Sequence, residues 1–406
     1  MQFFHEEEVI LLMLSLAYII VLGLLGAYVF RFLRLPGLIG MLLVGILIGP
    51  SGFDLLEAPL LLISEDLRKI ALIIILLRAG LGLNREAVAS IGKRASALSV
   101  IPLLLEGTVV MVLAVFLFGF DFIQGGMLGF IVAAVSPAVI VPAMLRLMRD
   151  NIGMKKRIPV LVLSSASVDD VIAITIFSAF LSVYFSQTLN IVAYVYRIPL
   201  SISLGVLLGV GVGYVFVRFF KRYHVRDTKK ILILIAAGIL MVSLTEVIAD
   251  YVMVASLLGV MTLGIMIREK NMTLGKRLSI KLDKVWVFAE LFLFVLVGAS
   301  LNVSVALEAG IFGIIIVVCG VIARSIGVFL ATILTDFTIS EKWFIVFSYI
   351  PKATVQAAVG SIPLSLGVAG GEIILAVAVI AILITAPIGS ILIQFTAKKL
   401  LEEATE

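Results

Sequence analysis

Long apolar runs, each closed by a short polar or charged cluster, repeat along the whole chain. A hydrocarbon core about 30 Å thick takes about 20 apolar helical residues, fewer where neighbouring protein covers the ends. By that measure the pattern predicts an all-α membrane protein with thirteen transmembrane helices, at 9–30, 37–50, 69–84, 95–119, 125–148, 158–185, 198–220, 229–248, 252–268, 284–302, 309–334, 343–365 and 371–396. The spans at 37–50, 69–84 and 252–268 are short, and the first two are expected to be shielded by neighbours. The stretch 229–268 divides in two because Glu246 and Asp250 mark a turn. No loop is long enough to hold a second domain, so residues 1–406 are expected to form a single membrane transporter unit.

Composition agrees with the bilayer reading. Of 406 residues 62% are hydrophobic and only 14% charged, whereas a soluble domain carries about 25% charged residues. An ordinary cytosolic enzyme and a disordered chain are both excluded. The net charge of +5 at first suggests a nucleic-acid partner. Its distribution gives a different account. With alternating spans, 24 of the 31 Lys and Arg fall on one side, from Arg31 and Arg34 to Lys398 and Lys399, and only Arg68, Lys69 and Arg197 on the other. Positive loops face the cytoplasm, so the N-terminus is expected outside and the C-terminus inside a plasma (inner) membrane. The basic loops then serve topology and lipid headgroups, without nucleic acid. Glu6, Glu7 and Glu8 give the N-terminus an acidic start unlike a signal peptide, so the first span is expected to be retained. Cys319 is the one cysteine, and His5 and His224 read as separate surface histidines near helix ends. Neither a disulfide, a resident metal nor a cofactor is expected.

Two spans carry breaks. Span 125–148 contains Ser136-Pro137 and Pro142, and span 343–365 contains Pro351-Lys352-Ala353-Thr354-Val355-Gln356. Proline removes a backbone donor and clashes with the preceding turn, and in lipid the freed carbonyls need other partners. Pro137 and Pro351 stand 214 residues apart, and each interrupted span is followed by a long final helix of its half. Spans five and twelve are separated by an odd number of crossings. The chain therefore reads as an inverted repeat: residues 9–185 form a first half, 198–220 a linker helix, and 229–396 an inverted second half. Interrupted helices in corresponding places point to a transporter's ion site. Ordinary proline kinks would leave Lys352 and Gln356 at bilayer depth unexplained. Lys352 is expected to offset the helix-dipole ends at the break.

Intramembrane charges supply the candidate chemistry. Asp169 and Asp170 lie side by side near the middle of span 158–185, each costing roughly 3 kcal/mol to insert. Neighbouring helical positions differ by about 100°, so the two carboxylates face different directions yet can border one cavity, with Ser165 and Ser167 a turn earlier. Adjacent carboxylates titrate as a unit, and a proton and a hard cation would compete for their oxygens. Glu106 and Arg324, in span four and span eleven, occupy equivalent places in the two halves and are expected to form a buried ion pair. Arginine keeps its proton, so Arg324 balances charge without carrying a transported proton. Arg78 has a snorkelling reading at least as good as a functional one, Glu290 has no partner apparent from sequence, and Gly205, Gly209 and Gly213 form a packing stripe.

Together several stretches resemble one family: Arg78-Ala79-Gly80-Leu81-Gly82-Leu83, Val135-Ser136-Pro137-Ala138-Val139-Ile140-Val141-Pro142, Ser167-Val168-Asp169-Asp170, Pro351-Lys352-Ala353-Thr354-Val355-Gln356-Ala357-Ala358 and Ile384-Thr385-Ala386-Pro387-Ile388-Gly389-Ser390. The chain resembles the sodium/proton antiporters of the cation:proton antiporter superfamily, most nearly the NHA branch. The resemblance implies two crossing, unwound helices in a core domain that moves, elevator-like, against a dimerisation domain, and a homodimer. It implies Asp169 and Asp170 as the ion-binding and proton-carrying acids for transported Na⁺, with Asp170 the main ligand, and Ser136 and Thr354 as oxygen donors at the breaks. Many bacterial relatives have lysine in place of Arg324, paired with the first aspartate. Arginine here, as in the NHA branch, implies pairing with Glu106 and leaves Asp169 free of an ion pair.

The expected function is secondary antiport of Na⁺ (or Li⁺) against H⁺, with K⁺/H⁺ exchange left open. One alternative is a sodium-coupled symporter of an organic anion on the same fold. An intramembrane aspartyl protease ranks far lower, since it needs aspartates from two facing helices.

Overall fold

The computed structural model describes residues 2–82, 85–185, 191–223, 225–248 and 254–401. His224 and Asp250 lie outside the described residues, as do the side chains of His5, Pro137, Ser167, Arg197 and Glu246. Seventeen helices are formed among the described residues: α1 (Gln2–Phe32), α2 (Gly37–Ile48), α3 (Ala58–Gly82), α4 (Arg85–Phe118), α5 (Phe122–Ala133), α6 (Pro137–Arg149), α7 (Ile158–Phe185), α8 (Ile191–Arg222), α9 (Asp227–Val247), α10 (Ser256–Lys270), α11 (Met272–Ala299), α12 (Val303–Glu308), α13 (Gly310–Ala331), α14 (Ile339–Ser348), α15 (Thr354–Gly360), α16 (Ile362–Ser365) and α17 (Gly371–Leu400).

Eight helical segments are long and apolar enough to cross a bilayer, with Phe122–Arg149 taken across its break, and α2 is a shorter apolar helix. Several helices start well before the predicted spans. α3 begins at Ala58, eleven residues ahead, because Glu65 and Lys69 pair at 2.8 Å one turn apart and keep a charged turn helical. α11 begins at Met272, where the Asn271 side chain caps the Leu274 amide at 3.0 Å. Hydropathy marks where lipid begins; a helix can continue past that point with charged residues.

The elements pack as two groups. In one, α2 and α3 both pack on α11, and α10 lies between α3 and α8. In the other, α4 packs on α5, α7 and α13, and α17 runs beside α13 and α14. Small residues allow these approaches, because lipid tails give helices no hydrophobic reason to associate and close backbone packing must supply it. A Cβ on Gly45 of α2 would lie 2.0 Å from the Val295 carbonyl oxygen of α11, and one on Gly209 of α8 would lie 2.3 Å from the Gly259 carbonyl oxygen of α10. The Gly205, Gly209 and Gly213 stripe is thus the α8 face that meets α10 and the residue before it. Gly129 of α5 and Gly327 of α13 bring their helices equally close to Gly107 and Pro102 of α4, which carries the buried Glu106.

Gly45→Ala is expected to lower stability by about 1–3 kcal/mol through overpacking against backbone that cannot move aside. Gly211→Ala, with nothing within 4 Å of the added carbon, should be neutral or slightly stabilising. Thermal unfolding of the two purified variants in one detergent checks the contrast.

Candidate functional site

The site grows from the way α5 stops. An α-helix leaves its last four carbonyls without intrahelical donors. Here Ala134 turns into extended backbone (φ −65°, ψ 141°), Ser136 stays extended (φ −89°, ψ 108°), and Pro137 opens α6 with no N–H to give. The Val135 amide, which a continuous helix would return to Ile131, instead donates to Asp169 Oδ2 at 3.0 Å. The Ser136 amide donates to the Pro351 carbonyl at 2.9 Å, tying the first break directly to the second.

All four orphaned carbonyls then have a side-chain nitrogen from the second half of the chain within 3.3 Å. Gln356 Nε2, on α15, donates to Ile131 O and Ala134 O at 2.8 Å each and approaches Val132 O at 3.3 Å. Arg324 Nη1, on α13, donates to Ala133 O, and Lys352 Nζ reaches the same oxygen at 3.3 Å. Two cations and an amide therefore sit at the negative end of α5's dipole. The second break spans Tyr349–Ala353, between α14 and α15, and is held in turn by α17: the Lys352 amide donates to Thr385 Oγ1 at 2.9 Å.

Five charged side chains converge, all buried. Glu106 Oε2 accepts from Arg324 Nη1 and from Lys352 Nζ, each at 2.6 Å. Arg324 Nη2 donates to Asp169 Oδ1 at 2.7 Å, and its guanidinium lies 5.3 Å from the centre of the Tyr349 ring. The Tyr349 hydroxyl donates to Ser165 Oγ, one turn before Asp169. Asp170 differs from its neighbour: it is buried, and its Oδ1 has no hydrogen-bond donor. Ser136 Oγ and Thr354 Oγ1 are likewise buried without partners, as are Glu106 Oε1 and Gln356 Oε1. Buried polar atoms are almost always satisfied. These unsatisfied oxygens lie on α4, on α7 and at the two breaks, and oxygen is the ligand type that hard cations take.

One sequence expectation meets a different geometry. Asp169 is not free of an ion pair, because Arg324 presents two nitrogens in a fork and serves Glu106 with one and Asp169 with the other. Lys352 Nζ reaches the C-terminal end of α5, in the other broken helix. Arg78 keeps its head partly exposed, as a snorkelling residue does, with its Nε paired to Asp283 Oδ1 at 2.6 Å and its guanidinium 5.7 Å from the Trp286 ring centre, both on α11. Among the described residues, Arg31 and Arg78 are the cations that act on Glu290. Gln356 stood out in sequence only by its depth. The signal that could have given it a role is its place one turn past the Pro351 break, where an amide can reach the carbonyls of a second broken helix.

Interrupted helices meeting around buried charges inside a helical membrane body define a secondary-transporter architecture. The comparisons narrow the class. The family model for "Sodium/hydrogen exchanger, transmembrane" matches residues 17–399. Sodium/hydrogen exchanger 9B2 of Mus musculus is 35% identical over 390 residues, covering 91% of this chain and 69% of its own length. Sodium/hydrogen exchanger 9B1 of Homo sapiens is 34% identical over 396 residues, covering 90% and 73%. The chain belongs to the sodium/hydrogen exchanger family, within the cation:proton antiporter superfamily. Its fold is shared with the sodium proton antiporter MjNhaP1 from Methanocaldococcus jannaschii, at a TM-score of 0.78 and 20% identity over 96% of this chain and 98% of that one.

Glu106→Gln would leave Lys352 facing a neutral amide at full burial, while Arg324 keeps Asp169. Losing one partner of such a group costs about 3–5 kcal/mol, so the variant should unfold at markedly lower temperature than wild type. Thermal unfolding of the purified protein measures it.

Proposed function

We propose that the protein is a secondary antiporter exchanging Na⁺ (or Li⁺) for H⁺, with the two ions competing for the oxygens around Asp169 and Asp170. The observation that carries this reading is the charge balance of the buried cluster. Glu106, Asp169 and Asp170 face Arg324 and Lys352 and no other cation that the site's hydrogen bonds reach. With every group ionised, one negative charge is left over, and Asp170 is the carboxylate without an ion-pair partner. At low dielectric an uncompensated charge is costly to move. Either one proton or one monovalent cation restores neutrality, so either loaded form crosses the barrier and the empty form does not.

In this reading Asp170 is the principal ligand, Asp169 shares the site while held by Arg324 and the Val135 amide, and Ser136 and Thr354 add oxygens. Glu106 fixes the two cations that cap α5. The thirteen predicted spans form two inverted halves, 9–185 and 229–396, with 198–220 between them. The broken helices cross at the Ser136–Pro351 contact. Elevator-like movement of that core, a homodimer, and a plasma-membrane location with the N-terminus outside complete the proposal. An organic-anion symporter is disfavoured because its anchoring cations would be Lys352 and Arg324, both already committed to carboxylates.

In proteoliposomes, Asp170→Asn is expected to abolish Na⁺-driven proton movement while the protein remains folded; exchange at the wild-type rate would refute the assignment. Orientation is tested separately. With Cys319 replaced by serine, a cysteine introduced at the exposed Lys399 should react with an impermeant maleimide from the cytoplasmic side alone.

A further inference from the structure

One peptide unit links α15 to the acid pair. The carbonyl of Ala134 accepts from Gln356 Nε2 at 2.8 Å, and the N–H of Val135, on the other edge of that same planar unit, donates to Asp169 Oδ2 at 3.0 Å. A rigid plane gripped at both edges cannot rotate without breaking one bond or the other. The orientation of the Gln356 amide is chemically determined, since its neighbours Ile131 O, Val132 O and Ala134 O are all acceptors and only an NH₂ group can serve them. That commitment leaves Gln356 Oε1 buried without a donor, a cost an incidental contact would not retain. Asp169 is fixed on its other oxygen by Arg324. Its orientation therefore depends on one side-chain donor and one backbone donor, and Gln356 sets the second.

We propose that Gln356 is a positioning residue for the cation site: through the Ala134–Val135 peptide unit it holds the Asp169 carboxylate in the orientation that the transported cation meets. The inference rests on the antiport reading above. It assigns Gln356 no contact with the cation. Removing the amide frees the peptide unit to turn, withdraws the Val135 N–H from Asp169, and lets the carboxylate swing toward Arg324 alone.

The test compares apparent KM for Na⁺ with maximal rate, in proteoliposomes of the full chain. Gln356→Met keeps the length and removes both donors. It is expected to raise KM about 10-fold or more, as loss of a ligand-orienting hydrogen bond does at bound-ion sites, with a smaller change in maximal rate. Gly45→Ala, destabilising by an unrelated route, should leave KM where it is. Val135→Pro deletes the N–H at the opposite edge of the unit, and Ala134 already has the extended backbone that a following proline requires (ψ 141°). It should raise KM to a similar degree, and the double variant should be no worse than either single one. If Gln356→Met lowers thermal stability yet leaves KM unchanged, Gln356 is a structural brace and the inference is overturned. Additive effects of the two substitutions overturn it as well. Should Gln356→Met fail to fold, Gln356→Asn, one methylene too short to reach, carries the same comparison. Survival of exchange in Asp170→Asn would instead defeat the antiport reading, whatever Gln356 does.

Discussion

A helix that ends inside a membrane exposes carbonyl oxygens where no water can reach them, and most of this site follows from how four such oxygens are satisfied. Pro137 withholds one donor, and the extended backbone of Ala134–Ser136 sends two amides elsewhere. The carbonyls of residues 131–134 must then find partners or cost several kcal/mol apiece. The partners are Gln356, Arg324 and Lys352, all from the second half of the chain. Two of these are cations, and cations buried at that depth demand carboxylates. Glu106 and Asp169 answer that demand.

The arrangement leaves Asp170 in a position unlike the other two acids of the cluster. It shares the buried environment of the cluster without sharing its ion pairs. Asp169, one residue away, is restrained on both oxygens. Two carboxylates adjacent in sequence are thus held differently, one hydrogen-bonded on both oxygens and the other with a buried Oδ1 that has no donor. Their divergence comes from the 100° turn between successive helical positions: one side chain meets Arg324 and the first break, and the other does not.

The breaks and the helix crossings differ in what holds them. Around the breaks, hydrogen bonds and ion pairs fix the geometry. Between α2 and α11, α3 and α10, and α8 and α10, backbone approaches through glycine do the work, with few polar contacts. Interfaces of the second kind depend on shape, and a single added methyl group is enough to disturb them. The Arg78–Asp283 pair with Trp286 is an exception, binding α3 to α11 by charge.

Local chemistry was legible in the sequence. Apolar run length marked the eight long apolar helices, proline marked both breaks, and the cost of burying acids singled out Asp169, Asp170 and Glu106. Helix starts such as Ala58 and Met272 were not legible, because hydropathy registers lipid and not hydrogen bonding. What only the tertiary structure decided is which buried group answers which. Gln356 meets carbonyls 222 and 225 residues away, Arg78 meets Asp283 across 205, and Arg324 divides its fork between Glu106 and Asp169. Such pairings depend on where helices cross, and a one-dimensional pattern of residue types carries the demand for a partner without the direction in which it lies.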